Sequence, residues 1–83
     1  MSLNDKIILK ILDYLDKMNS DEEFKKTCPN ITPQEYLCVK VQPYIKPKRL
    51  INILTGKVKR IRLDEVDIIS KVLNVDVTYF FKD

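Results

Sequence analysis

The sequence predicts a compact all-α domain of five helices, and three observations lead to this fold class. Apolar residues recur at three- and four-residue spacing along most of the chain, which is the period of an amphipathic helix. Several of these segments begin at a capping residue or a proline and end near glycine, asparagine or proline. No segment alternates polar and apolar residues for long enough to predict a strand, and the chain has 1 Gly and no Trp.

The composition indicates a single domain over residues 1–83. We divide it into an N-terminal helix and connection, 1–31, and a second part that holds the remaining helices, 32–81. Hydrophobic residues make up 45% of the chain and charged residues 33%, so it has enough apolar material for a core and enough charge for solubility. No apolar run is long enough to span a membrane, and acidic residues interrupt the N-terminal apolar segment, unlike a signal peptide. We therefore expect a cytoplasmic protein.

Residues 3–18 are predicted to form an extended N-terminal helix, with Ser2 or Asn4 as its cap. Its inner stripe is expected to consist of Leu3, Ile7, Ile8, Ile11, Leu12, Leu15 and Met18. This stripe serves the core in the simpler interpretation, and the alternative is a helix that binds a protein partner. A polar break follows, in which Ser20 and Glu23 match a capping box for a short helix ending before Pro29.

Two further helices are predicted on either side of a turn. Thr32, Pro33 and Glu35 have the residue types of a helix start, and Pro43 ends that helix near Val41. The inner face of this helix is expected to be Tyr36, Leu37 and Val41. After a turn at 44–47, a second helix runs over 47–55, and its buried face is expected to be Leu50, Ile53 and Leu54. The only glycine, Gly56, stands where a helix end favours a left-handed residue.

The last predicted helix spans 63–73 and ends at Asn74. Asp64 and Glu65 suit its first turn, where acidic groups favour the helix dipole. Its inner stripe is expected to be Val66, Ile69, Val72 and Leu73, with Ser70 as a small residue between them. Asp76 or Thr78 can cap a final turn that carries Tyr79, Phe80 and Phe81.

Positive charge is concentrated between residues 40 and 62. This stretch has eight Lys or Arg residues and no acid, whereas the whole chain has a formal net charge of +3, so the other 60 residues sum to −5. The eight are Lys40, Lys46, Lys48, Arg49, Lys57, Lys59, Arg60 and Arg62. Basic residues around a helix with its own apolar stripe are typical of a nucleic-acid-binding surface. The alternative for each residue alone is a solvated surface charge.

The residue types do not favour catalysis, zinc binding or a redox role. The chain has no His, no glycine-rich phosphate loop and no nucleophile paired with a base, so we expect no enzyme and no cofactor. Cys28 and Cys38 are two thiols without further ligands, which makes a zinc site improbable. Their spacing differs from a C-x-x-C redox motif, and we expect both to be reduced and packed as small apolar residues.

From Thr32 to Phe81 the sequence resembles the Cro and phage-repressor (XRE-like) helix-turn-helix domains. The segment TPQEYL resembles the first motif helix, IKPKRLINILTGK the turn, second helix and closing glycine, and LDEVDIISKVLNVD the helix that follows. The chain departs from the pattern at Tyr44, where the family has its turn glycine, and at Lys40, where it has a small residue. Taking Cys38 as the small residue implies a turn that is two residues longer.

The resemblance implies a lambda-repressor-like fold and a sequence-specific transcriptional regulator of duplex DNA, of phage or mobile-element type. Helix 47–55 would lie in the major groove, and the base-reading residues would be Lys48, Arg49 and Asn52. The phosphate-binding residues would be Lys46, Lys57, Lys59, Arg60 and Arg62. The alternatives are a protein-interaction module that uses the N-terminal helix or the basic residues, and structured-RNA binding by the basic residues alone.

A homodimer that reads two half-sites is also implied, because one such small domain offers few base contacts. We expect the two copies to meet through the apolar C-terminal end, Tyr79–Phe81, or through the exposed side of the N-terminal helix.

Overall fold

A computed structural model describes residues 2–82 of the chain, and this part is all-helical. The helices are α1 (Leu3–Asn19), α2 (Glu22–Thr27), α3 (Pro33–Lys40), α4 (Pro47–Leu54) and α5 (Leu63–Leu73), followed by a 3-10 helix (Val77–Phe81). No strand occurs between residues 2 and 82, so the predicted all-α class and the five helices are confirmed. None of the helices in this range combines the length and the apolar character that crossing a membrane requires.

The core is built around α1, which packs against α2, α3, α4 and the closing 3-10 helix. Helix α5 completes the core by packing on α3 and on the 3-10 helix. The most deeply buried side chains are Ile11, Leu37, Val41, Ile45, Leu50, Ile53, Val66, Ile69 and Phe80. These residues come from α1, the later helices and the turn between α3 and α4, so both parts of the chain share one core.

The inner face of α1 is narrower than the sequence predicted. Ile7, Ile8, Ile11 and Leu15 are buried as expected. Leu3 is 56% exposed and Leu12 is 38% exposed, so their assignment to the inner stripe was wrong. Both lie beyond the width of the stripe that neighbouring helices cover, and α1 also leaves Leu9 exposed.

Most of the predicted helix starts are confirmed, and one is wrong. Ser2 caps α1, and Thr32 and Glu35 form a reciprocal capping box at α3. At α2 the cap is Asp21, whose carboxylate accepts from Glu23 N–H at 3.0 Å, and not Ser20. Ser20 instead ends α1, where its N–H donates to the carbonyls of Lys17 and Met18.

The connection between α3 and α4 covers residues 41–46 and is anchored at two points. Val41 and Ile45 are both buried, whereas Tyr44 between them is exposed. Backbone hydrogen bonds from the N–H groups of Tyr44 and Ile45 to the carbonyl of Val41 hold the turn. The apolar anchors therefore fix this long turn without a glycine.

Helices α4 and α5 are both followed by a residue in the left-handed conformation, which the sequence predicted for Gly56. Gly56 has a φ of +74°, and Asn74 has a φ of +57°. After α4, Lys57 N–H donates to the Asn52 carbonyl and Gly56 N–H to the Ile53 carbonyl, which is the Schellman arrangement. These bonds direct the chain out of α4 into the basic loop, which we define as residues 57–62.

The aromatic C-terminal end belongs to the core. Phe80 is fully buried, and its ring contacts that of Tyr79, which in turn packs edge-on against Tyr14. The Tyr14 hydroxyl donates to the Leu73 carbonyl at 3.0 Å, which joins α1 to α5. The expectation that this end offers its apolar side chains to a second copy fails for Phe80, because the N-terminal helix and α5 already cover it.

Replacing Phe80 with alanine tests this assignment. We expect Phe80→Ala to lower the free energy of unfolding by about 3–5 kcal/mol, because it leaves a large cavity between α1, α5 and the 3-10 helix. The measurement is chemical denaturation followed by circular dichroism. Val39→Ala is the control, since this side chain is 59% exposed and its loss should change stability by less than about 0.5 kcal/mol. Equal effects of the two variants would contradict the assignment of Phe80 to the core.

Candidate nucleic-acid interface

Helix α4 has a buried face and an exposed face of different chemistry. Leu50, Ile53 and Leu54 are buried, as the sequence predicted. The opposite side carries Lys48, Ile51, Asn52 and Thr55, of which Asn52 is half-buried and the others are exposed. Two of these four residues are polar without being charged, and one is aliphatic. The exposed face of α4 therefore offers hydrogen-bonding groups and an apolar contact, with a single formal charge.

The N-terminus of α4 lacks a side-chain cap. Pro47 opens the helix, and the residue before it, Lys46, has no side chain that could accept from the first N–H groups. Side-chain oxygens accept such bonds at α1, α2 and α3. The first turn of α4 thus has unpaired backbone donors and a lysine on either side of Pro47.

Arg49 lies at the side of α4 and is bound by other parts of the chain. Its Nε donates to Glu65 Oε2 at 2.8 Å, and its Nη2 donates to Glu65 Oε1 at 2.8 Å. The same Nη2 also donates to the carbonyl oxygen of Arg60 at 3.0 Å. The guanidinium therefore joins α4 to the start of α5 and to the basic loop.

Glu65 receives these bonds in a nearly closed site. The residue is 6% exposed, and its Oε1 also accepts from the backbone N–H of Arg62 at 2.9 Å. The hydrogen bonds from Arg49 lower the pKa of the Glu65 carboxyl group, and the Arg62 N–H adds to this effect, while desolvation opposes it. The same pairing raises the pKa of Arg49, so both groups stay charged at neutral pH.

Asn4 holds the other side of the basic loop. Its Nδ2 donates to the Lys59 carbonyl at 2.7 Å, and its Oδ1 accepts from Ile61 N–H at 3.3 Å. The Ile61 side chain is buried beneath these contacts. Asn4 and the Arg49–Glu65 pair together bind backbone groups of four consecutive loop residues, 59–62. The loop backbone is thereby fixed from two sides.

The basic side chains of this region point into solvent. All six exposed cations of the stretch 46–62 lie at the start of α4 or in the loop, and only Arg62 has an acidic partner, Asp64 at 2.9 Å. The other five form no ion pair with any residue between 2 and 82; they are Lys46, Lys48, Lys57, Lys59 and Arg60. The structure therefore brings together five unpaired cations around α4 and a loop of fixed backbone.

The sequence-predicted site residues fall into three groups. Lys48 and Asn52 lie on the exposed face of α4, where the sequence placed them. The five predicted phosphate-binding residues, at positions 46, 57, 59, 60 and 62, are all exposed. Arg49, predicted to read bases, has its Nε and Nη2 bound within the chain.

Three residues of this region were not predicted to take part in it. Ile51 is 48% exposed on α4. Its position outside the Leu50–Ile53–Leu54 stripe is the feature of the sequence that indicates this exposure. Glu65 was interpreted only as a favourable charge at a helix start, and its position three residues after Arg62 was the sign that it could reach back to the loop. Asn4 was interpreted as a helix cap, and no local pattern indicates a partner 55 residues away.

The structure also bears on the cysteines and on metal binding. Cys28 and Cys38 are free thiols and both are half-buried. Within residues 2–82, no three His, Cys, Asp or Glu side chains are grouped in a way that could hold a metal ion.

Comparison with known proteins gives no assignment. No protein-family model matches the chain, and neither the curated proteins nor the solved structures contain a significant match to it.

The Arg49–Glu65 pair predicts how stability depends on pH. Because the folded-state pKa of Glu65 is lowered from its ordinary value of 4.5, the stabilisation is present above that pH and is lost as the pH falls below it. Near neutral pH, Glu65→Gln should lower the free energy of unfolding by about 1.5–3 kcal/mol, since it removes charge-assisted bonds to a half-buried arginine. This difference from the wild type should shrink as the pH falls well below 4.5. Urea denaturation over that range measures it, and a difference that stays constant would contradict the role of the carboxylate.

Proposed function

We propose that the chain is a sequence-specific duplex-DNA-binding transcriptional regulator of phage or mobile-element type. In this proposal α3, the turn 41–46 and α4 form a lambda-repressor-like helix-turn-helix, with α4 in the major groove. The single observation that carries the proposal is the set of five unpaired cations around α4 and the fixed basic loop. Six residues separate α3 from α4, so the turn remains a departure from the family pattern, as the sequence indicated at Lys40 and Tyr44.

The charges around α4 oppose the stability of the helix itself. Cations in a first turn face the positive end of the helix dipole, and α4 has Lys46 and Lys48 there with no side-chain cap. Both features cost stability in the free protein. Both become favourable when an anion binds the free N–H groups, and a DNA phosphate at the start of a reading helix is such an anion.

Base recognition is proposed for the exposed face of α4. Asn52 can bind adenine through its N6 and N7 atoms, and its side chain forms no hydrogen bond with any other described residue. Lys48 can donate to guanine O6 and N7. Ile51 adds an aliphatic contact of the kind that recognises the methyl group of thymine. The three side chains therefore present different chemical groups to the base edges in the DNA major groove.

Arg49 takes a different role in this proposal from the one that the resemblance implied. With Glu65 as its partner, it acts as a positioning residue that sets the basic loop against α4. Lys57, Lys59, Arg60 and Arg62 on that loop then meet phosphates together with Lys46. Because the loop backbone is already ordered, binding requires little further loss of conformational entropy.

A second candidate function is a non-enzymatic protein-interaction module. The observation in its favour is the outer face of α1, where Leu9 is 50% exposed and Leu12 is 38% exposed between the acidic residues Asp5, Asp13 and Asp16. A partner that presents basic and apolar side chains would suit this face. In such a module the helix-turn-helix would be a scaffold, and neither candidate requires a catalytic group or a cofactor.

Salt dependence is the first test of DNA binding. If the five assigned cations meet phosphates, affinity for duplex DNA should fall roughly 500-fold between about 50 and 200 mM salt. Fluorescence anisotropy with a labelled duplex pool measures this slope. Lys59→Ala should reduce the slope by about one charge, whereas Lys25→Ala on α2 is the matched control and should leave it unchanged. A flat salt response of the wild type would refute the proposal.

The second test measures sequence preference, and it distinguishes residues that contact bases from residues that only hold the basic loop in place. Asn52→Ala should relax the preference at one base pair and cost about 1–3 kcal/mol against the selected site. Glu65→Gln should weaken binding to all sequences equally, although Glu65 itself is too buried to reach DNA. Arg49→Ala should resemble Glu65→Gln. Should Arg49→Ala instead relax the preference at a single base pair, Arg49 would read that base.

A further inference from the structure

A charge-balanced groove lies between the end of α3, the turn 41–46 and α5. It encloses about 510 Å³, and the half-buried side chains of Ile68 and Val72 contribute its apolar surface. Tyr44 lines the groove and is nevertheless 76% exposed, the largest exposed fraction among the large hydrophobic side chains described. The Tyr44 hydroxyl forms no hydrogen bond with any residue between 2 and 82.

The charges around this groove differ from those of the rest of the region. Lys40 and Lys71 provide two positive charges, and Asp64 and Asp67 provide two negative ones, so the sum is zero. Each has a partner within the chain: Asp67 binds Lys71 at 3.0 Å, Asp64 binds Arg62, and Lys40 lies over the Tyr36 ring. The aspartates also serve helix α5 locally, since Asp64 accepts from Glu65 N–H.

From this combination we infer that the groove is the surface through which two copies of the chain associate. In a two-fold contact the same surface occurs on both sides, so it must be complementary to itself in shape and in charge. The groove meets the first condition because it has a projecting Tyr44 beside an apolar concavity. It meets the second because its two lysines and two aspartates sum to zero, so two copies of the groove carry no net repulsion when they face each other. Tyrosine is also among the residues enriched at the centres of interfaces.

Two of the other surfaces suit a second copy less well. The side that carries α4 and the basic loop is cationic, so two copies would repel each other there. The C-terminal aromatic end has its central ring, Phe80, buried. A stable interface takes about 600 Å² from each partner at the lower limit, roughly a tenth of the chain's 5796 Å² surface.

This inference rests on the proposed function only for its consequence, which is that the dimer presents two α4 helices to two half-sites. The association itself involves no DNA and can be measured on the free protein. The two proposals therefore fail separately: a dimer that ignores DNA refutes the regulator, and a chain that binds DNA as a monomer refutes the dimer.

Tyr44→Ala is the first variant that tests the groove. We expect sedimentation equilibrium to show a wild-type dimer at tens of micromolar, and Tyr44→Ala to weaken the association by about ten-fold or more. Leu9→Ala is the matched control, because Leu9 is also an exposed large apolar residue but lies on α1. Equal weakening by both variants, or a wild type that stays monomeric at this concentration, would overturn the inference.

Charge reversal gives a second test that does not depend on removing apolar contacts. Asp67→Lys changes the sum of the groove charges from zero to +2, and Lys71→Glu changes it to −2. Each variant alone should be monomeric. An equimolar mixture should form heterodimers, because the positively charged groove of one variant then faces the negatively charged groove of the other. Circular dichroism confirms that both variants stay folded. Variants that self-associate like the wild type, or a mixture that stays monomeric, would exclude this groove as the interface.

Discussion

The ion pair between Arg49 and Glu65 is the interaction on which the arrangement of the candidate interface depends. It connects three elements that are separate in sequence: the side of α4, the carbonyl of Arg60 in the loop and the first turn of α5. Desolvation offsets much of the attraction in such an ion pair, so an apolar pair in its place would be about as stable, whereas removing one partner leaves the other charge without its partner. The pair instead fixes orientation, because the planar guanidinium donates two parallel hydrogen bonds that restrict how the carboxylate can lie. From α1, Asn4 fixes the same loop through its hydrogen bonds to the backbone of Lys59 and Ile61.

The free protein carries several features that its own stability does not explain. Cations gather at the start of an uncapped helix, five of them lack an acidic partner within residues 2–82, and aliphatic and amide side chains stand on the exposed side of α4. Local rules of helix stability are usually violated where function requires it. The core, by contrast, follows these rules closely, with caps at α1, α2 and α3 and left-handed residues after α4 and α5.

Sequence reasoning predicted the helices well because their signals are local. The capping box at Thr32, the glycine after α4 and the apolar stripe of α4 all act within a few residues, and each is present in the structure. The contacts of Arg49 could not be predicted in this way, because its partner is 16 residues away and both residues have ordinary local explanations. The exposure of Leu3 and the burial of Phe80 likewise depend on which elements pack together.

The long-range contacts of α1 have a consequence for the order of folding. Asn4 and Tyr14 bind backbone groups that lie 55 and 59 residues further along the chain. During synthesis, α1 is made before these partners, so its two hydrogen bonds cannot form until the chain has grown to include Lys59 and Leu73. Closing such distant contacts is slow compared with forming helices. Helix α1 is therefore expected to dock late on the newly made protein, and the loop between α4 and α5 to acquire its final shape only at that step.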